Sequence, residues 1–158
     1  MEFRHEMTYD AALADVSTML DDPAYRDRVM HAQGGVRGTF EIGTEGDITT
    51  AVVDQVRPAA GLPSYATKFV GSEINIVQRE EWSSAEYADL HVTIPGKPGR
   101  MVGSISLAED GGTTTETVAV EITVNIPLVG GKIEKLIAEM LRKALCAEEQ
   151  VARAYLAG

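Results

Sequence analysis

Proton-moving side chains fall on strand-like alternation at two places in this chain. In "EYADLHVTI" (86–94), Tyr87, Asp89 and His91 share one face, opposite Ala88, Leu90, Val92 and Ile94. A carboxylate two residues from an imidazole can orient the ring for base catalysis. If Leu90, Val92 and Ile94 take the interior, however, the Tyr-Asp-His row faces water. In "EFRHEMT" (2–8), His5 lies on the side of Phe3 and Met7 and so points toward the expected interior. There it offers a guest one polar contact or serves as a general base. A histidine bonded to a neighbouring backbone group fits the same placement.

Other reactive patterns fail on spacing. The three histidines, at 5, 31 and 91, lack the intervals of metal ligands, and Cys146 is the single cysteine, so no metal or cofactor is expected. "AEDGGTT" and "VGGK" miss the Gly-x-x-x-x-Gly-Lys-Ser/Thr spacing of a phosphate loop and read as turns. Ser83 and Ser84 lack the setting of a nucleophile elbow.

Binding is better supported than catalysis. Ile74, Ile76, Gln78, Glu80 and Trp82 are in phase along "EINIVQREEW". Trp82, a large aromatic with one N–H donor, suits the mouth of a cavity that takes an amphipathic ligand, and it suits a core equally. Gln78 and Glu80 need polar partners if they point inward. Met7, Met101 and Met140 are expected on inner surfaces, where flexible thioethers adapt to varied apolar guests or simply fill space. Phe40, Ile105, Val120, Ile122, Leu136, Ile137 and Leu141 complete the expected ligand-binding lining. Small residues Gly38, Gly103 and Ala144 on the same faces favour unfilled volume.

These residues need a scaffold, and the periodicity supplies one. Residues 2–8 alternate as a strand. Asp10 stands where an N-cap belongs, and Leu13, Val16, Met19 and Leu20 keep helical spacing up to "DDP". Asp22 with Pro23 starts a second helix that ends at Gly34-Gly35. From 35 to 126 short alternating runs separated by turns predict a six-strand antiparallel meander. Its last strand sets Val118, Val120, Ile122, Val124 and Ile126 on one side. The stretch 63–70 reads as a short helix or turn closing one end, where it would gate access.

A final helix over 131–157 would be roughly 40 Å long at 1.5 Å per residue. Ile133, Leu136, Ile137, Met140, Leu141, Ala144, Leu145, Val151, Ala152 and Tyr155 form its apolar stripe. Pro127 ends the preceding strand, and Gly130-Gly131 would let the chain swivel back over the sheet. The expected fold is α+β in the order β-α-α-β-β-β-β-β-β-α, a seven-stranded curved antiparallel sheet around a long C-terminal helix. One domain over 1–158 suffices.

Twenty-four Asp and Glu against 14 Lys and Arg leave a formal charge of −10, which repels a nucleic-acid backbone. No window approaches the roughly 20 apolar residues of a membrane-spanning helix. "MEFRHEMTYD" lacks the apolar stretch of a secretory signal, so a cytoplasmic location is expected. A homodimer is compatible with this composition.

The stretches "IPLVGGKIEKLI", "LPSYATKFVG", "REEW" and "VGSISLAEDGGTT" closely resemble a bacterial family catalogued as a domain of unknown function. That family is similar to the START-like, polyketide-cyclase-like (SRPBCC) superfamily. The resemblance implies a helix-grip fold enclosing an apolar cavity, and binding of lipids, polyketides or similar molecules. A minority of the superfamily catalyse cyclisation, dehydration or hydrolysis. The expectation is therefore a carrier of a small apolar or amphipathic ligand. The alternatives are a cyclase or dehydratase using His5 or a cavity carboxylate, and an interaction module with a closed interior.

Overall fold

A computed structural model describes residues 1–158. Its elements are β1 (Glu2–Tyr9), α1 (Leu13–Asp21), α2 (Pro23–Ala32), β2 (Arg37–Glu45), β3 (Ile48–Pro58), α3 (Ser64–Val70), β4 (Glu73–Ser84), β5 (Tyr87–Thr93), β6 (Gly99–Asp110), β7 (Thr113–Val124) and α4 (Gly130–Leu156). All seven strands join one antiparallel sheet in the order β1-β7-β6-β5-β4-β3-β2. This is the expected helix-grip architecture, with the segment before β4 resolved as the short helix α3. Since β1 and β2 occupy opposite edges, α1 and α2 carry the chain from one edge to the other.

Local chemistry sets the element ends, not always as expected. Asp10 does not cap α1, which starts at Leu13 after Ala12. Glu109 from β6 takes over that role, accepting a hydrogen bond from the Leu13 N–H at 2.6 Å. Asp22 does cap α2, accepting from the Ala24 N–H at 2.9 Å ahead of a first-turn Pro23.

The sharp return from β7 into α4 also differs in detail. The left-handed residue is Leu128, at φ 72° and wholly exposed, rather than Gly130 or Gly131. Gly130 is required for another reason, because a Cβ there would strike the Val124 carbonyl oxygen. The Val124 N–H donates to the Glu134 carboxylate at 2.9 Å, tying strand end to helix start.

Alternation decides which face of the sheet is covered. Ala88, Leu90 and Val92 are buried while Tyr87, Asp89 and His91 are exposed. On β7, Thr114, Glu116, Val118, Val120, Ile122 and Val124 are all buried. The core joins this face to α1, α2 and α4 through Met7, Tyr9, Val16, Met19, Tyr25 and Ile122. The long helix packs on β7, β1 and α2. Over the middle strands it stands off, and a cavity opens there.

Candidate functional site

The cavity has a volume of about 170 Å³, and 23 of its 36 lining residues are hydrophobic. A single water needs only about 10–15 Å³ on this kind of measure, so the space admits more than isolated solvent. Helix α4 contributes Leu136, Ile137, Met140, Leu141 and Ala144; the sheet contributes Ile76, Val92, Met101, Ile105 and Val120. Leu62, Ala66, Phe69 and Val70, in and just before α3, line the end nearest the β5–β6 turn.

Polar groups enter this apolar space in three sets. The first is an ion pair between α2 and β4. Arg26 grips Glu80 through both guanidinium ends, Nη1 to Oε2 at 2.8 Å and Nη2 to Oε1 at 2.9 Å, with both side chains almost fully buried. Arg26 also donates from Nε to the Leu20 carbonyl at 2.7 Å. Glu80 accepts further bonds from the Trp82 indole N–H at 2.9 Å and the Gln78 amide at 2.6 Å. Burial pushes the Glu80 pKa up, but the Arg26 charge and these donors outweigh it and hold Glu80 below the usual carboxylate value. Gln78 and Glu80 thus point inward, with the partners that such placement demands.

The second set is acidic. Glu116 on β7 is 2% exposed and accepts a hydrogen bond from the Tyr9 hydroxyl at 3.1 Å. Burial first, and then the nearby Glu148 charge, push its pKa up to about 8. Glu148 on α4 is raised to about 7, chiefly by burial, although Arg26 pulls in the opposite direction. Glu148 keeps partial solvent accessibility, unlike Glu116. The Tyr25 hydroxyl lies near enough to Glu148 to steady its charge, yet it completes no hydrogen bond of good geometry. Two buried carboxyls raised into this range can donate and accept protons near neutral pH.

The third set is basic. Arg57 on β3 is partly buried; its Nη2 donates to Gln33 Oε1 at 2.9 Å and its Nε to Gln55 Oε1 at 3.2 Å. Burial lowers its pKa. Gln33 is anchored in turn by its amide donating to the Ala144 carbonyl at 3.1 Å. No group of three or more His, Cys, Asp or Glu side chains is arranged to hold a metal ion.

Of the expected lining, Met101, Ile105, Val120, Leu136, Ile137, Met140 and Leu141 face the cavity. His5, Met7, Phe40, Trp82 and Ile122 do not. Met7 and Ile122 are fully buried in the solid core, where α4 packs directly on β1 and β7. Phe40 sits on edge strand β2 with the Arg26 guanidinium 4.9 Å from its ring centre. Trp82 lies behind Glu80, not at the mouth.

His5 stacks on Phe3 with its buried Nε2 unpartnered, and it lies outside the cavity lining, away from where a cavity guest would sit. Asp89 and His91 are on the outer face, where Asp89 accepts from the Tyr87 hydroxyl at 3.2 Å instead of bonding His91. Gly38 and Gly103 add no volume either. A Cβ at Gly103 would strike the Ala119 carbonyl oxygen, and one at Gly38 would meet Met30 Sδ and the Asp54 carbonyl. Only Ala144 of the three small residues lines the cavity.

Sequence reading missed Arg26, Glu116, Glu148 and Arg57. The signal was present in each case as a charge in phase with an apolar row. Arg26 stands four residues before Met30, Glu116 two before Val118, Glu148 four after Ala144, and Arg57 two after Gln55 and four after Val53.

A family described as "Protein of unknown function (DUF2505)" matches residues 4–156. The uncharacterized protein Rv0481c of Mycobacterium tuberculosis is 27% identical over 122 residues, 73% of this chain and 69% of that one. Among solved structures, TTHA0849 from Thermus thermophilus superposes with a TM-score of 0.65 at 18% identity, covering 98% of this chain and 99% of that one. The di-domain ARO/CYC StfQ from the steffimycin biosynthetic pathway gives 0.68 at 13% identity, covering 97% of this chain and 50% of that one. Norcoclaurine synthase from Thalictrum flavum gives 0.64 at 15% identity, with 99% and 86% covered. At these identities the likeness is one of fold.

Proposed function

We propose that this chain, which belongs to the DUF2505 family, is one ligand-binding domain over 1–158 that holds a small apolar or amphipathic molecule between the sheet and α4. The observation that carries the reading is the internal cavity of about 170 Å³ with its mainly hydrophobic lining. Each 100 Å² of apolar guest surface removed from water contributes roughly 2.5 kcal/mol, and a few polar groups fix orientation. Access is through the α3 end, between that helix and the β5–β6 turn. The fold shared with StfQ and norcoclaurine synthase supports placing the family in the START-like, polyketide-cyclase-like superfamily. A monomeric or homodimeric carrier in the cytoplasm suits the acidic composition, the lone Cys146, and the absence of any helix long and apolar enough to cross a membrane.

Native mass spectrometry of freshly purified protein, followed by uptake from a panel of alkyl and fused-ring aromatic compounds, tests the reading. A bound adduct, lost when Ile137→Trp fills the space, is the expected result. Absence of any adduct in the folded wild type would remove the reading.

A second reading, acid–base chemistry of the cyclase or dehydratase kind, is favoured by the buried Glu116 and Glu148 carboxyls. It differs in requiring that Glu116→Gln abolish turnover while leaving uptake intact. A closed-interior interaction module fits poorly with a cavity of this size.

A further inference from the structure

We propose that the guest is an apolar acid whose carboxylate pairs with Arg57, a refinement that rests on the cavity being a binding site. Arg57 reaches the cavity from β3, opposite Ile74 on β4, in a lining that also includes Leu62, Ala66 and Phe69, an apolar setting for a charge. A partly buried guanidinium in such surroundings calls for a counter-charge. The chain supplies none. Its hydrogen-bond partners, Gln33 Oε1 and Gln55 Oε1, are uncharged amide oxygens, and no carboxylate lies within ion-pair distance. Arg4, Arg26, Arg37, Arg79 and Arg153 each have an acidic partner. Arg28, Arg100 and Arg142 lack one too but are exposed, so Arg57 is the partly buried arginine left without a counter-charge, in a chain that carries 24 acidic residues against 14 basic ones.

The arrangement holds the fork ready rather than satisfying it. Gln33 is fixed by its own bond to the Ala144 carbonyl and accepts a long contact from the Gln55 amide at 3.4 Å. Both amide oxygens therefore stay turned toward Arg57. Of the five guanidinium N–H groups, only one on Nε and one on Nη2 are used. The Nη1 edge is free, and no atom of Arg57 is among the buried polar atoms lacking a partner, so that edge remains accessible. Asp54, three residues earlier, is on the exposed face of β3 and is engaged by the Asn75 amide at 2.7 Å.

A planar carboxylate matches a guanidinium edge geometrically, and Arg57 is the partly buried cation of the lining, Lys97 and Arg100 at the rim being exposed. An amine head would instead seek Glu116 and Glu148. Burial depresses the Arg57 pKa with no opposing charge, a deficit that an acidic guest would correct.

Calorimetric titration at pH 7 with octanoate, octan-1-ol and octylamine, against wild type, Arg57→Gln and Arg57→Lys, tests this. Expected results are octanoate binding about tenfold or more tighter than octanol to the wild type, a preference kept in part by Arg57→Lys and lost in Arg57→Gln. Octanol affinity should survive in Arg57→Gln. Equal affinity of the wild type for octanoate and octanol, stronger binding of octylamine, or a preference that persists in Arg57→Gln would each overturn the assignment while leaving the binding reading intact. Uptake of none of the three by folded wild type would overturn both. The wild-type comparison alone decides the matter if Arg57→Gln does not fold.

Discussion

Glu116 makes the stability of this protein depend on pH in an unusual direction. Its carboxyl holds a proton up to about pH 8 when folded, against an ordinary value of 4.5. Between those limits the folded state binds more protons than the unfolded state, so stability falls as pH rises. The contribution is complete below 4.5 and is lost progressively as pH passes through 8. One pKa unit corresponds to 1.36 kcal/mol, so from pH 6 to pH 9 Glu116 forfeits about 3 kcal/mol. For a chain of this size that lowers Tm by roughly 6–12 °C. Glu116→Gln keeps the shape and can still accept the Tyr9 hydroxyl bond, yet it has no proton to lose. Urea and thermal melts of both proteins at fixed ionic strength from pH 5 to 9 give the comparison. The variant should be the more stable by about 5 kcal/mol at pH 9 and by about 2 kcal/mol at pH 6, with the two curves drawing together toward pH 4.5. Parallel profiles, or a wild type more stable at pH 9 than at pH 6, would refute the claim that a buried protonated carboxyl stands on β7.

Removing one partner of the α2–β4 ion pair should be costly. Arg26→Met leaves Glu80 buried with only the Trp82 and Gln78 donors, a loss of about 3–5 kcal/mol in urea unfolding. Because Arg26 is what holds the Glu80 proton off, the deficit should shrink toward pH 4, and an unchanged deficit there would show that charge is not its cause. Gly103→Ala should cost about 3 kcal/mol or more, since its Cβ meets the β7 backbone at Ala119 and Val120, not the end of a flexible side chain. A variant melting within a degree of wild type would show that β6 and β7 separate locally without penalty.

The outline of the fold was legible because alternation and helical spacing report which face is covered. In β5 the buried Ala88, Leu90 and Val92 and the exposed Tyr87, Asp89 and His91 follow that rule directly. The same rule could not separate a solid core from a lined hollow. Met7 and Ile122 satisfy it as well as Met101 and Ile105 do, and only the path of α4, close to β1 and β7 and away from the middle strands, distinguishes them. The polar groups were harder still. A charge in phase with apolar neighbours is read as a break in the pattern until its partner is known, and the partner of Glu80 lies 54 residues away on α2. Caps and turns fail for a related reason, as with Glu109 taking the part expected of Asp10 across 96 residues of chain.

The hollow itself argues for an occupant. An unfilled apolar cavity costs about 24 cal/mol per Å³, so 170 Å³ left dry would cost roughly 4 kcal/mol. A domain of this kind has only about 5–15 kcal/mol of net stability. Larger side chains on α4 in place of Ala144, or on the sheet in place of Val92 and Val120, would close much of the gap with apolar contact. The chain instead sets small and medium residues there and adds a partly buried arginine without a counter-charge and two buried carboxyls with raised pKa values, groups that a purely structural core would exclude. A guest that fills the space restores the lost contacts and engages those groups, stabilising the folded state by mass action as its concentration rises above Kd. The same substitutions that would steady the empty protein would therefore abolish binding, and this opposition between stability and occupancy is what a binding cavity predicts and a packing defect does not.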